Sequence, residues 1–227
     1  MLQEKVVVVT GASGALGKVV VEIALARGAR VAAVDYAAAR NEPTPQRLEL
    51  GGVDLTDAAQ ASKAIDAAAA HFGKLDALIN IAGGFAFETI EGGDPQTWAR
   101  MYALNVTTAL NASRAAIPHL LGSRAARIVN TGAFGALQAG SGMGAYAASK
   151  AGVHRLTEAL AAEHKGKITV NAVLPSIIDT AANRASMPKS DFSKWVAPQE
   201  LAEVILFLAS DAASAVTGAL IPVVGRV

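Results

Sequence analysis

The sequence predicts an α/β fold, a single domain on a doubly wound parallel sheet of about seven strands with helices on both faces. Short β-branched runs alternate with long alanine-rich segments of helical period, the pattern of repeated strand–helix–strand units. The runs are nearly continuously apolar rather than alternating, as strands are when both faces are covered. A length of 227 residues with 52% hydrophobic content suits one core, so residues 1–227 are read as one domain.

Taken in order, the strand candidates are Lys5 to Thr10, Arg30 to Asp35, Arg47 to Leu50, Leu75 to Asn80, Arg127 to Asn130, Lys167 to Leu174 and Ala219 to Val224. Helices are expected at about 15–28, 57–72, 94–120, 143–165 and 198–210. Asp57 can cap the second of these, and Asp94 followed by Pro95 supplies an acceptor at the cap and a proline in the first turn of the third. Asn41 to Gln46, with two prolines, reads as a surface loop. The polar stretch Ala181 to Pro198 interrupts the alternation and is a candidate lid.

Composition removes several classes of function. Twenty basic against nineteen acidic residues, with no cationic cluster, give nothing to track a nucleic-acid backbone. Cysteine is absent, which excludes disulfides, thiolate metal sites and cysteine nucleophiles. No stretch approaches the roughly 18 uninterrupted apolar residues of a membrane span. The start lacks the regions of a signal peptide, so a cytoplasmic location is expected. His71, His119, His154 and His164 show no ligand spacing; they are read as helix-surface residues, and no metal site is expected.

Two short motifs carry chemistry. The first strand is followed by Thr10-Gly11-Ala12-Ser13-Gly14-Ala15-Leu16-Gly17 and then a helix. Glycines there permit a tight turn and close approach of backbone amides to a pyrophosphate, while the helix start favours negative charge, as in a Rossmann-type dinucleotide site. Asp35, with Tyr36 beside it, ends the second strand 18 residues beyond Gly17, where a carboxylate can accept both hydroxyls of an adenosine ribose. That favours NAD(H) over NADP(H), whose extra phosphate would be repelled, although Arg40 nearby leaves NADP(H) open. In the second motif Tyr146 and Lys150 lie four residues apart and share one helix face. A cation held near a phenol lowers its pKa toward the range useful for acid–base work.

With these motifs and their neighbours the chain resembles the short-chain dehydrogenase/reductase family over essentially its whole length. Besides the glycine turn and the Tyr146/Lys150 pair, the matching residues in family order are Asp54-Leu55, Asn80-Ile81-Ala82-Gly83, Asn105, Leu174-Pro175-Ser176 with Thr180, and Thr217-Gly218. The resemblance implies cofactor contacts from Gly11, Ser13, Gly14, Ala15, Leu16, Gly17, Asp35, Tyr36, Pro175, Tyr146 and Lys150. It also implies that Asp54 and Leu55 line an adenine site, that Asn80, Ala82 and Gly83 shape the ribose side, and that Thr180 touches the carboxamide or pyrophosphate. Asn105 would support a water chain to Lys150, completing a catalytic set with Tyr146. Self-association as a homodimer or homotetramer through the helices at 94–120 and 143–165 is the corresponding assembly.

Three departures stand out. Ala15 replaces the middle glycine of the turn, and Ser176 replaces the glycine after Pro175. Ala133 stands thirteen residues before Tyr146, where the family carries a catalytic serine; Thr131 and Ser141 are the nearest hydroxyls. The dihydropteridine reductase branch of the family works without that serine, and Ala82-Gly83-Gly84-Phe85, Gly142-Met143, Gly152-Val153-His154 and the segment 174–195 are similar to it. The expected activity is reduction of a quinonoid dihydropterin or another flat conjugated small molecule, with Tyr146 as proton donor. Phe85, Met187, Phe192 and Trp195 would form an apolar wall for it. A general carbonyl or alcohol oxidoreductase, for instance of 3-oxoacyl type, is the alternative, and a noncatalytic dinucleotide sensor is a third.

Overall fold

The computed structural model describes residues 2–226. Seven strands form one parallel sheet in the order β3-β2-β1-β4-β5-β6-β7: β1 (Val6–Thr10), β2 (Arg30–Val34), β3 (Arg47–Leu50), β4 (Ala77–Asn80), β5 (Ala126–Thr131), β6 (Ile168–Pro175) and β7 (Leu220–Val223). The helices are α1 (Ala15–Ala26), α2 (Ala58–Phe72), α3 (Pro95–Tyr102), α4 (Thr108–Leu120), α5 (Gly144–Glu163), α6 (Ala181–Ser186) and α7 (Pro198–Leu208).

The period of two along each strand divides the core. Val7 and Val9 face the layer made by α1 and α7, with Leu16, Val20, Leu201 and Ile205. Val6 and Val8 face the other layer, with Ile65 of α2, Ala112 of α4 and Leu160 of α5. Fully buried side chains such as Leu78, Ile79 and Ile128 contribute about 1.5–3 kcal/mol each relative to exposure. Alanine on the inner faces of α2 and α4 lets these helices lie close to the sheet and to each other.

Strand order reverses between β1 and β4, and a crevice at the carboxyl ends of these strands is where an open α/β sheet binds ligands. The loops after β1, β4, β5 and β6 all converge there.

Two regions depart from the expected elements. The helix expected over 94–120 is two helices, α3 and α4, joined by a π-helical turn at Ala103–Thr107. Such a turn arises from the register of backbone hydrogen bonds and has no propensity signature of its own. The stretch Ala181 to Pro198 contains α6, capped by Thr180 Oγ1 on the Asn183 amide at 3.2 Å, and a 3-10 turn at Phe192–Lys194. No helix among the described residues is long and apolar enough to cross a membrane.

Candidate active site

The glycine turn is shaped by close approaches. Gly11 has φ +66°, and a Cβ there would lie 2.7 Å from the Ala82 amide nitrogen, so the exits of β1 and β4 touch. Thr10 Oγ1 ties them further, accepting the amides of Ile81 at 3.1 Å and Ala82 at 3.2 Å. Gly14 caps α1 with no side-chain hydrogen bond, whereas α2 and α3 are capped by the carboxylates of Asp57 and Asp94. The amides of Ala15, Leu16 and Gly17 thus open the one of these three helices whose start no side chain covers, the arrangement that suits an anionic phosphate.

Asp35 stands beside this turn. Its Oδ2 accepts the Ser13 amide and its Oδ1 the Ala37 amide, both at 2.8 Å. Each oxygen keeps a lone pair for a ribose hydroxyl. Tyr36 is 77% exposed at the rim. Asp54 Oδ1 accepts the Thr56 amide at 2.9 Å and hydroxyl at 2.6 Å. The Leu55 side chain is buried in the core beside α2, so only its backbone can face an adenine site, and its carbonyl accepts the Asn111 amide group at 3.0 Å. Asn80 likewise turns inward, donating to Asn130 Oδ1 at 2.9 Å and Ser113 Oγ at 3.2 Å. Its spacing in the motif could not reveal which way the amide points.

Tyr146 and Lys150 lie on the first turns of α5, and Lys150 is buried. Lys150 Nζ donates to the Thr131 carbonyl at the end of β5, at 2.7 Å. Burial pushes the Tyr146 phenol up to about 12 and the Lys150 ammonium down to about 8. The expected lowering of the phenol by its lysine neighbour is therefore not what the protein alone exhibits: burial raises the phenol, and the ammonium is held on a backbone carbonyl. The phenol is protonated throughout the neutral range and ready to donate.

Asn105 sits in the π turn, buried, and its side chain is fully engaged. Oδ1 accepts the Gly84 amide at 3.1 Å, while Nδ2 donates to the Gly84 carbonyl at 3.1 Å and to Ser149 Oγ at 3.0 Å. A Cβ on Gly83 would lie 2.5 Å from Asn105 Oδ1 and 3.4 Å from Lys150 Nζ, so Gly83 occupies the space between them. Asn105 thereby braces the loop after β4 against α5.

The substrate-wall residues separate into two groups. Phe85 is 60% exposed and meets the Tyr146 ring edge-on, centroids 4.9 Å apart. Phe192 is half-buried beneath the Arg184 guanidinium, and Met187 is half-buried on the same segment. Trp195 does not form open wall: it is 4% exposed, packs on Phe192 at 4.8 Å between centroids, and backs that ring instead. Phe87, which lies on Gly142 and is exposed, was not singled out by sequence. Pro175 ends β6 as a buried residue.

Ala133 is buried just past β5, with its amide donating to His154 Nε2 at 3.3 Å. Thr131 carries a buried hydroxyl with no partner, while Ser141 is exposed. His154 corrects the surface reading of the histidines, being 2% exposed on the inner face of α5. Its signal was available in the spacing, since positions 146, 150, 154 and 157 share one face. No cluster of three metal-ligating side chains occurs among the described residues.

The model of a family described as short chain dehydrogenase matches residues 5–191. The 2-(S)-hydroxypropyl-CoM dehydrogenase 3 of Xanthobacter autotrophicus is 32% identical over 246 residues, covering 99% of this chain and 96% of that protein. An inactive 2-(S)-hydroxypropyl-CoM dehydrogenase 2 of the same organism is 32% identical over 221 residues, covering 89% and 96%. Among solved structures, 3-ketoacyl-(acyl-carrier-protein) reductase from Brucella melitensis complexed with NADH has a TM-score of 0.87 at 30% identity, covering 100% of this chain and 99% of that one. None of these three is a dihydropteridine reductase.

Proposed function

The chain belongs to the short-chain dehydrogenase family and is an oxidoreductase; from that premise we propose that it reduces a flat, conjugated small molecule, of the quinonoid dihydropterin kind, using NADH. The observation that carries this is the pairing of a protonated phenol, Tyr146, with an alanine at 133 and an exposed aromatic, Phe85, against the phenol ring.

The residues present fit a nicotinamide dinucleotide. The uncapped start of α1 suits a pyrophosphate, Asp35 an adenosine ribose, and Lys150 the second ribose. When bound, the cofactor supplies a hydride at its nicotinamide ring. Tyr146 donates its phenolic proton to the heteroatom of the bond being reduced, where negative charge gathers. Lys150, released from the Thr131 carbonyl, places its ammonium near that phenol and favours the phenolate left behind. Phe85, edge-on to the phenol ring and exposed, offers an aromatic face to a flat substrate at one side of the reacting group. A conjugated acceptor is already electrophilic, so one donor suffices where an isolated ketone gains from two.

Reduction of an isolated ketone or 3-oxoacyl group is the second reading, favoured by the likeness to the NADH-bound 3-ketoacyl reductase. The distinguishing experiment assays purified protein with NADH and NADPH against quinonoid dihydropterin, acetoacetyl thioester and a panel of ketones. Faster turnover of the pterin supports the first reading, and ketone turnover alone the second. Cofactor binding without turnover of any of them would make the chain a noncatalytic dinucleotide sensor.

Two substitutions refine the result. Ala133→Ser restores a hydroxyl beside the reacting bond and is expected to raise kcat for ketones about tenfold or more; an unchanged rate means the pocket does not seat a carbonyl there. Asp35→Ala removes the carboxylate facing the ribose and is expected to shift the ratio of NADPH to NADH affinity by about tenfold toward NADPH, read by fluorescence titration. An unaltered ratio would take Asp35 out of cofactor choice. For assembly, the exposed rings of Trp98 and Tyr102 on α3 are the surface we assign to a second copy of the chain.

A further inference from the structure

We propose that His154 is a positioning residue: by accepting the Ala133 amide it fixes the exit of β5 against α5, and so sets where a substrate held at Ala133 stands relative to the Tyr146 phenol. The inference rests on the reading of Tyr146 as proton donor.

The strand exit is moulded around the imidazole. Gly132 has no side chain, and a Cβ there would lie 2.5 Å from His154 Nε2, 2.7 Å from its Cδ2 and 3.3 Å from Leu174 Cδ1. Nε2 takes the Ala133 amide at 3.3 Å. Two other residues of the same helix face hold β5 on either side. Lys150 donates to the Thr131 carbonyl at 2.7 Å, and Thr157 Oγ1 accepts from Asn130 Nδ2 at 2.9 Å. If Lys150 leaves Thr131 for a ribose, the side-chain hydrogen bond from α5 to the Thr131–Ala133 segment that remains among the described residues is that of His154.

An imidazole can hold this bond only while Nε2 is unprotonated. Burial first, then the charges of Arg155 and Lys150, bring His154 down to about 4, so it accepts throughout the neutral range. Both charges are on its own helix; Gly132, Ala133 and Leu174, which pack on the ring from β5 and β6, carry none.

The test compares His154→Gln, which keeps an acceptor, with His154→Phe, which keeps the volume and loses it. Amide hydrogen exchange at residues 132–134 is measured on each protein without substrate. The kcat and KM are then measured with NADH and quinonoid dihydropterin or the best ketone of the panel. In the Phe variant, exchange at Ala133 is expected to rise about tenfold, and kcat to fall about ten- to hundredfold with KM within about twofold, as for a displaced reacting group. The Gln variant should restore both to within about threefold. The parent should also lose kcat as pH falls toward 4 and His154 takes up a proton, and the Gln variant should lack that loss. Unchanged exchange in the Phe variant, or a Gln variant no better than Phe, overturns the proposal. If Phe fails to fold, the acid profile of the Gln variant decides in the same way. Because exchange needs no turnover, it judges His154 even if the proposed reaction fails.

Discussion

Tyr146→Phe is expected to lower kcat about a thousandfold, within the 10²–10⁴ range of a lost general acid, while NADH affinity and Tm stay near those of the parent. The argument is local. Phenylalanine keeps the ring that meets Phe85 edge-on, with centroids 4.9 Å apart, and so keeps the packing of the site. What is removed is a proton that burial holds on the oxygen up to about pH 12. Steady-state kinetics with the best substrate, together with a fluorescence titration of NADH, separates the two effects. A variant retaining more than about a tenth of the rate would mean that another group, or water, supplies the proton.

Gly17→Ala is expected to be the most damaging substitution in the glycine turn. An added Cβ would lie 2.1 Å from the Gly11 carbonyl oxygen and 2.8 Å from Ala12 Cα, both backbone atoms of the turn that have no rotamer in which to retreat. The chain would have to move the start of α1 away from β1, at a cost of about 2–4 kcal/mol, and with it the amides that face a pyrophosphate. Thermal unfolding should show the loss, and NADH should no longer bind measurably. Gly14→Ala provides the contrast, since its Cβ meets the Gly11 oxygen at 3.3 Å and asks for a shift of only a few tenths of an ångström. Equal stability of the two variants would contradict this geometry.

These two residues also mark what a sequence makes legible. The strands were legible because runs such as Val6–Thr10 and Ala77–Asn80 are buried on both faces, which favours a nearly continuous apolar composition. The turn of Gly11, Gly14 and Gly17 and the shared helix of Tyr146 and Lys150 were legible because fixed spacings dictate them. The direction of a side chain was not. Leu55 and Asn80 sit in motifs associated with a cofactor, yet both turn into the protein, because neighbouring core residues and buried amides claim them.

Long-range packing was hidden for the same reason. Trp195 looked like a substrate wall by composition, but its ring fills the space behind Phe192. The π turn around Asn105 lies where α3, packed on α5, gives way to α4, packed on α2, with the Asn105 amide clasping Gly84 from 21 residues away. Lys150 on the Thr131 carbonyl is a contact between a helix and a strand exit whose partner atom is backbone, which no side-chain pattern encodes. His154 lay in plain view, one turn beyond Lys150 on a face already assigned to chemistry, and escaped because a histidine without a ligand partner reads as surface.

The central claim is that the phenol and the ammonium act together beside a bound nicotinamide. A crystal structure of the NADH complex tests it most directly. The account predicts the Tyr146 hydroxyl about 3–4 Å from the nicotinamide C4 edge where a substrate atom would sit, with Lys150 Nζ moved from the Thr131 carbonyl onto ribose hydroxyls. A complex in which Lys150 still holds Thr131 and the phenol faces away from the nicotinamide would contradict it.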